Sequence, residues 1–111
     1  MIQRDPIEKD YVALFDDYGL GTTIWSPLAS GVLTGKYNEE IPEDSRMSKE
    51  RYAFIFKQYF GDQASEKTLK TLIGLSEIAK KLGCSMAQLA LAWAIKSKDV
   101  TTCILGATKV S

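Results

Sequence analysis

Two short β-forming runs, set far apart in the chain, constrain its fold more than any other feature. Thr22, Thr23, Ile24 and Trp25 make the first; Thr101, Thr102, Cys103, Ile104 and Leu105 make the second. Both are short and rich in β-branched or aromatic residues, which predicts strands. Ser26 and Pro27 end the first, because proline cannot donate to a sheet ladder. Gly106 ends the second. Short continuous runs of this kind belong to parallel sheets covered by helices, so the expected fold class is α/β. Two strands cannot close a barrel or fill one. The order helix, strand, loop, helices, strand, turn therefore reads as a unit cut from a larger α/β fold, and the helix expected to follow Gly106 has no room before Ser111.

Helical spacing fills the rest. Asp5 is placed to cap a first helix, with Pro6 at the first helical position, where its missing N–H costs nothing. Tyr11, Leu14, Phe15 and Tyr18 recur on one face, and Gly19 stops the helix. Residues 26–46 read as loop, with a short helix over Ala29–Leu33. Ser48 is placed to cap a second helix reaching Tyr59, with Tyr52, Ile55, Phe56 and Tyr59 on one face. Ser65 is placed to cap a third, whose stripe is Leu69, Leu72, Ile73, Leu75, Ala79 and Leu82, with Gly83 as terminator. Ser85-Met86-Ala87-Gln88 forms a capping box for a fourth, running to about Lys96. That last helix is apolar on most sides, which predicts deep burial. Unpartnered strand edges and this apolar helix predict poor solubility for the chain alone.

Composition narrows the function. Fourteen basic and 14 acidic residues give zero net charge. A nucleic-acid or membrane-surface partner requires a concentrated basic field, so neither is expected. No apolar run approaches the roughly 20 residues of a membrane helix. The opening residues MIQRDPIEKD have no apolar stretch and do not read as a signal peptide. Cys84 and Cys103 lack motif spacing and read as free thiols of a reducing, cytoplasmic compartment. There is no histidine, which removes the commonest general acid–base and metal ligand together. No metal site is expected.

Two segments have the make-up of ligand loops. Trp25 through Tyr37, WSPLASGVLTGKY, follows the carboxyl end of a strand, the side on which α/β sheets and barrels bind ligands. Ser26 and Ser30 offer hydroxyls, Gly31 and Gly35 permit close backbone approach, and Lys36 and Arg46 supply positive charge. On spacing alone, a plain strand-to-helix turn with solvated Lys36 and Arg46 is the better account. Ile104 through Lys109 repeats the pattern, with Gly106, Ala107 and Thr108 after a strand end. In eight-stranded barrels the loops after the last two strands often build a phosphate site.

WSPLASGVLTGKY at 25–37, IPEDSR at 41–46, LGCSMAQLALAW at 82–93 and ILGAT at 104–108 together resemble the aldo-keto reductases. The branch resembled includes potassium-channel β subunits and their plant and microbial relatives. The resemblance covers nearly the whole chain. It implies the C-terminal part of a (β/α)8 barrel, with residues 1–111 as one partial NADP-dependent oxidoreductase domain. It implies NADP(H) lying across the carboxyl ends of the strands. Trp25, Ser26, Pro27, Leu28, Ala29 and Ser30 would follow its pyrophosphate and ribose, and Lys36 would contact the pyrophosphate. Arg46 would reach the adenine-ribose end, which Gly106, Ala107 and Thr108 would wrap. An aromatic residue stands two places before the arginine in that pattern. Here it is Asp44, and a stacking contact is absent.

The same resemblance places the catalytic aspartate, tyrosine, lysine and histidine in the first half of the barrel. No catalytic residue is therefore expected in this chain. The glutamine and asparagine that follow the last-strand glycine would fall beyond Ser111. The parent implied is a reductase of aldehydes and ketones, alternatively a channel regulatory subunit with a redox-sensing cofactor. A carbonyl substrate, a channel partner and a homo-oligomer are the corresponding partners.

Overall fold

In the computed structural model, which describes residues 1–2, 4–62 and 64–107, the two strands lie side by side. β1 (Thr22–Trp25) and β2 (Val100–Ile104) pair in parallel. Thr22 faces Val100, Ile24 faces Cys103 and Trp25 faces Ile104, with a register slip between Thr22 and Thr23. Parallel strands need a long crossover, and here most of the chain supplies it. A π-helical turn, Pro6–Asp10, leads into α1 (Val12–Tyr18) and then β1. A 3-10 turn, Ala29–Thr34, follows. A second 3-10 turn, Glu50–Tyr52, runs into α2 (Ala53–Phe60). Then come α3 (Ser65–Lys81), α4 (Met86–Lys96) and β2. The predicted α/β class and both strands are present, β2 displaced by one residue toward the N-terminus.

The core does not sit under the sheet. Its buried members are Val32, Leu33, Tyr37, Met47, Leu72, Ala79, Met86 and Ala90. Segment 32–47, α3 and α4 therefore share one apolar centre, and the glycine-punctuated loop is its lid. Tyr37 anchors this lid, with its ring edge-on to Phe60 of α2 at a centroid distance of 6.0 Å. The sheet is joined to this body through α4, which packs against β2 and against the 29–34 turn. Thr22 secures its start: its backbone N–H and its hydroxyl both donate to the Asp99 carbonyl at 2.8 Å. Lys98 donates to Asp16 at 2.9 Å, tying α1 to the turn before β2, and that bond with its ion pair raises the Lys98 pKa.

Several local expectations fail, each for a physical reason. Asp5 is already helical and makes no capping hydrogen bond, because the chain enters by a wide π turn that starts earlier than a capped helix would. Ser48 caps nothing. Its hydroxyl donates back to the carbonyls of Glu43 and Ser45, bracing the preceding loop, and α2 begins only at Ala53. Ser65 is the first residue of α3, with Ala64 as the flanking residue. Of the α1 stripe only Phe15 is buried; Tyr11, Leu14 and Tyr18 are exposed. On α4 only Met86, Ala90 and Ala94 are buried, and Ile95 is exposed. Periodicity shows which face is apolar, but a neighbour must be present to cover it.

One cap forms as expected. The Ser85 hydroxyl accepts from the Gln88 N–H at 3.1 Å, while the Gln88 side chain accepts from the Ser85 N–H at 2.8 Å. Ser85→Ala removes one of these bonds at the start of the helix that carries Ala90 and Ala94. The expected cost is about 1 kcal/mol, read as a lower urea midpoint with an unchanged slope. An unchanged midpoint would contradict it.

Candidate functional site

The parallel pairing places Trp25 beside Ile104, so the turns that begin at Ser26 and after Ile104 leave the same end of the sheet. The first turn has an unusual backbone. Ser26, Ala29 and Ser30 have φ of 54°, 48° and 57°, the left-handed region that side chains with a Cβ disfavour. Such conformations cost on the order of 1–3 kcal/mol each and persist only where surrounding contacts impose them. Here the contacts are local. The Ser26 carbonyl accepts from the Ala29 N–H at 2.9 Å and the Ser26 hydroxyl from the Ser30 N–H at 3.3 Å. The Leu28 carbonyl accepts from both Gly31 and Leu33. Thr34 donates its hydroxyl to the Gly31 carbonyl at 2.7 Å.

Two glycines are required by this path. Gly31 has φ of 98°, and a Cβ there would meet Lys36 Cε at 3.1 Å. Gly35 has φ of 89°, and a Cβ there would press on the Met86 sulfur at 3.3 Å. The chain thus coils tightly enough for Lys36 to fold back over Gly31 and the ring of Tyr37, its Nζ 4.8 Å from the centroid.

The candidate residues divide between places. Trp25, Ser26, Pro27, Ala29 and Ser30 line a cavity of about 950 Å³. Its other walls include Phe54, Ile55 and Tyr59 of α2 and Trp93 and Ala94 of α4. Burial raises the Tyr59 pKa, so its phenol remains neutral at neutral pH. Leu28 does not line this cavity and packs against the buried core. Lys36 opens onto a second cavity of about 700 Å³, shared with Thr34, Asn38, Ser76 and Ser85. Arg46 lines neither cavity and holds its guanidinium 5.2 Å from the Tyr52 ring. Gly106 and Ala107 are exposed beyond β2. Thr108 lies outside the described residues.

The site contains features that sequence reasoning missed. The Ser26 hydroxyl braces the turn by accepting from the Ser30 N–H, where the sequence offered it only as a ligand hydroxyl. Tyr52 serves as a platform for cations, whereas spacing placed it on an apolar stripe. Arg51 also stands over that ring, at 4.8 Å. A tyrosine flanked by arginine is the only sequence signal for this, and it is a weak one. Cys84 and Cys103 are free thiols. Among the described residues, no helix is long and apolar enough to cross a membrane, and no cluster of metal-ligating side chains occurs.

A parallel strand pair with a tightly coiled, hydroxyl-bearing turn at its carboxyl end defines an α/β protein, and in such folds ligands bind at that end of the strands. The chain belongs to the aldo/keto reductase family, which it matches over residues 1–111. It is 46% identical over 110 residues to an Oryza sativa subsp. japonica protein described as "Probable voltage-gated potassium channel subunit beta". That match covers 98% of this chain and 32% of the relative. An Arabidopsis thaliana protein of the same description is 43% identical over 112 residues, covering 100% of this chain and 33% of the relative. The chain therefore spans about a third of the length of these relatives.

Proposed function

We propose that this chain contributes the nucleotide-binding rim of an NADP(H)-dependent aldo/keto reductase, as the C-terminal part of a (β/α)8 barrel. The observation that carries this reading is the parallel pairing of Trp25 with Ile104, which sends both small-residue turns from one edge of the sheet. The residues present suit a dinucleotide. Ser26 and Ser30 supply hydroxyls on a preformed turn, Gly31 keeps the backbone free of a Cβ, and Arg46 supplies a guanidinium suited to phosphate. When bound, the cofactor would supply a hydride for a carbonyl carbon. The chain's own part is to bind and orient: residues 25–30 along the pyrophosphate and ribose, Lys36 at the pyrophosphate, Arg46 with Gly106, Ala107 and Thr108 at the adenine end. The reacting acid–base groups would come from outside this chain, as would the carbonyl-binding surface and any self-association.

A second reading keeps the same site and changes its use. Relatives described as potassium channel β subunits favour a regulatory subunit that binds a channel and carries the cofactor as a redox sensor. Co-purification of the full-length protein with a membrane channel supports this reading, and carbonyl turnover without any channel supports the first.

Trp25 provides the assay for binding itself. It is 82% exposed beside the proposed cofactor path. NADPH should quench its fluorescence saturably and NADH more weakly, since the second lacks the phosphate that Arg46 would meet. A linear, unsaturable response to NADPH would overturn the cofactor reading.

A further inference from the structure

Along α3, Thr71, Leu75, Ile78 and Leu82 recur at steps of four, three and four residues, the spacing of a helix–helix seam. This stripe runs beside the face that Leu72 and Ala79 bury. It starts against the shared core at Leu75 and then leaves it, with Ile78 47% and Leu82 66% exposed. Thr71 already donates its hydroxyl to the Lys67 carbonyl at 2.8 Å, so a partner can cover it without stranding a donor. Gly74 lies between Thr71 and Ile78 on the outer edge of the stripe. A glycine inside a helix weakens it relative to alanine. A Cβ on Gly74 would meet nothing within 4 Å, so the packing of this chain does not require the missing side chain. Close approach of a second backbone does require it.

The free edge of the stripe carries one sign of charge. Lys67, Gly74 and Lys81 follow one another at seven-residue intervals, so the two lysines flank the glycine along one line. Both are exposed, and among the described residues neither forms an ion pair. The opposite edge is closed by the core. Two copies of this face are poorly matched. In an antiparallel pair Lys67 of one copy meets Lys81 of the other, and in a parallel pair each lysine meets its counterpart, so like charges oppose either pairing. We propose that the 71–82 stripe of α3 is a docking surface for an amphipathic helix of another protein, one with leucine-type side chains at heptad spacing and Asp or Glu along its outer edge. The apolar side chains of that helix cover Ile78 and Leu82, its backbone passes closest at Gly74, and its carboxylates pair with Lys67 and Lys81. This surface is independent of the nucleotide reading.

The test uses the full chain and a fluorescently labelled peptide as long as α3, with leucine at the a and d heptad positions and glutamate at e and g. A counterpart peptide carries lysine in place of each glutamate. Anisotropy of the glutamate peptide should rise saturably with added chain, and the lysine peptide should bind at least about 10-fold more weakly. Added salt should narrow that gap. Gly74→Leu should weaken binding of the glutamate peptide by about 10-fold or more, because the added side chain blocks close approach. The urea midpoint of that variant should be unchanged or raised, since leucine favours helix, which separates a docking role from a structural one. The Lys67→Glu, Lys81→Glu double variant should reverse the preference between the two peptides. Equal binding of both peptides, no saturable binding of the glutamate peptide, or an affinity untouched by Gly74→Leu overturns the proposal. Self-association of the chain that Gly74→Leu abolishes assigns the face to a second copy and overturns it too. So does binding that this chain shows and a full-length relative lacks, which assigns the face to the relative's own remaining segment.

Discussion

Mixed with NADPH and a panel of aldehydes and ketones, the 111-residue chain oxidises no cofactor above the protein-free rate. Reduction of a carbonyl needs a proton donor beside the carbonyl oxygen as hydride arrives at carbon, and such a donor contributes about 10²–10⁴ in rate. The chain has no histidine. Four of its five tyrosines are ill placed for the task, and Tyr59, which lines the Trp25 cavity, has its pKa raised by burial, which makes its phenol a weaker acid. Tyr11, just before α1, and Tyr18, at its end, are exposed, and the Tyr52 ring lies against two guanidiniums. Tyr37 does have a lysine beside it, but Lys36 stands over the ring face. The Tyr37 hydroxyl is buried without a partner and the residue is 1% exposed, so no substrate oxygen reaches it. Trp25 at the rim is open to water, which weakens every electrostatic contribution there. NADPH consumption followed by absorbance is the measurement. Steady carbonyl-dependent turnover, even at the roughly 1 s⁻¹ low end of ordinary enzymes, would show that a reactive constellation had been overlooked.

Leu72→Ala should abolish cooperative folding or bring the chain close to that point. Leu72 is 0% exposed at the centre of the cluster formed by α3, α4 and segment 32–47. Emptying such a position costs about 2–5 kcal/mol through lost transfer energy and the cavity left behind. A domain of this size holds roughly 5–15 kcal/mol in all, and this one leaves much apolar surface uncovered. The adjacent residue supplies the control. Ile73 is 53% exposed on the same helix, and Ile73→Ala should shift stability by no more than about 0.5 kcal/mol. Urea unfolding followed by circular dichroism separates the two. Equal effects would show that the cluster around Leu72 is not the centre of the fold.

The second prediction also shows where sequence patterning reaches its limit. Leu72 and Ile73 both belong to the apolar stripe that marks 65–82 as a helix, and nothing local distinguishes them. The structure buries one and leaves the other in water because α2, α4 and the shared core cover only one side of α3. Capping follows the same division. Ser85 caps because Gln88, three residues later, completes the exchange within one turn. Asp5, Ser48 and Ser65 have the right chemistry but meet different backbones. Ser48 lies too far ahead of α2, which begins at Ala53, and its hydroxyl donates instead to the carbonyls of Glu43 and Ser45.

The candidate site divides in the same way. The hydroxyls of Ser26 and Ser30, the glycines 31 and 35, and the cations Lys36 and Arg46 were legible as ligand-type residues after a strand. Their grouping was not. Lys36 turns over Gly31 toward a separate cavity, because the left-handed run at Ala29, Ser30 and Gly31 reverses the chain there. Arg46 stands over the ring of Tyr52, which spacing placed on a helix face, and so does Arg51, which no motif singled out.

The sequence by itself determined the two strands, the helices with their apolar faces, the α4 cap and the family, since each depends on residues within a turn or two or on a run of matching motifs. Tertiary structure alone decided which apolar faces are covered, that the core lies under the loop rather than under the sheet, and which two arginines share a ring. Burial and charge pairing require groups distant in sequence to meet, and the energy that selects among such meetings is shared across the whole chain rather than written in any one segment.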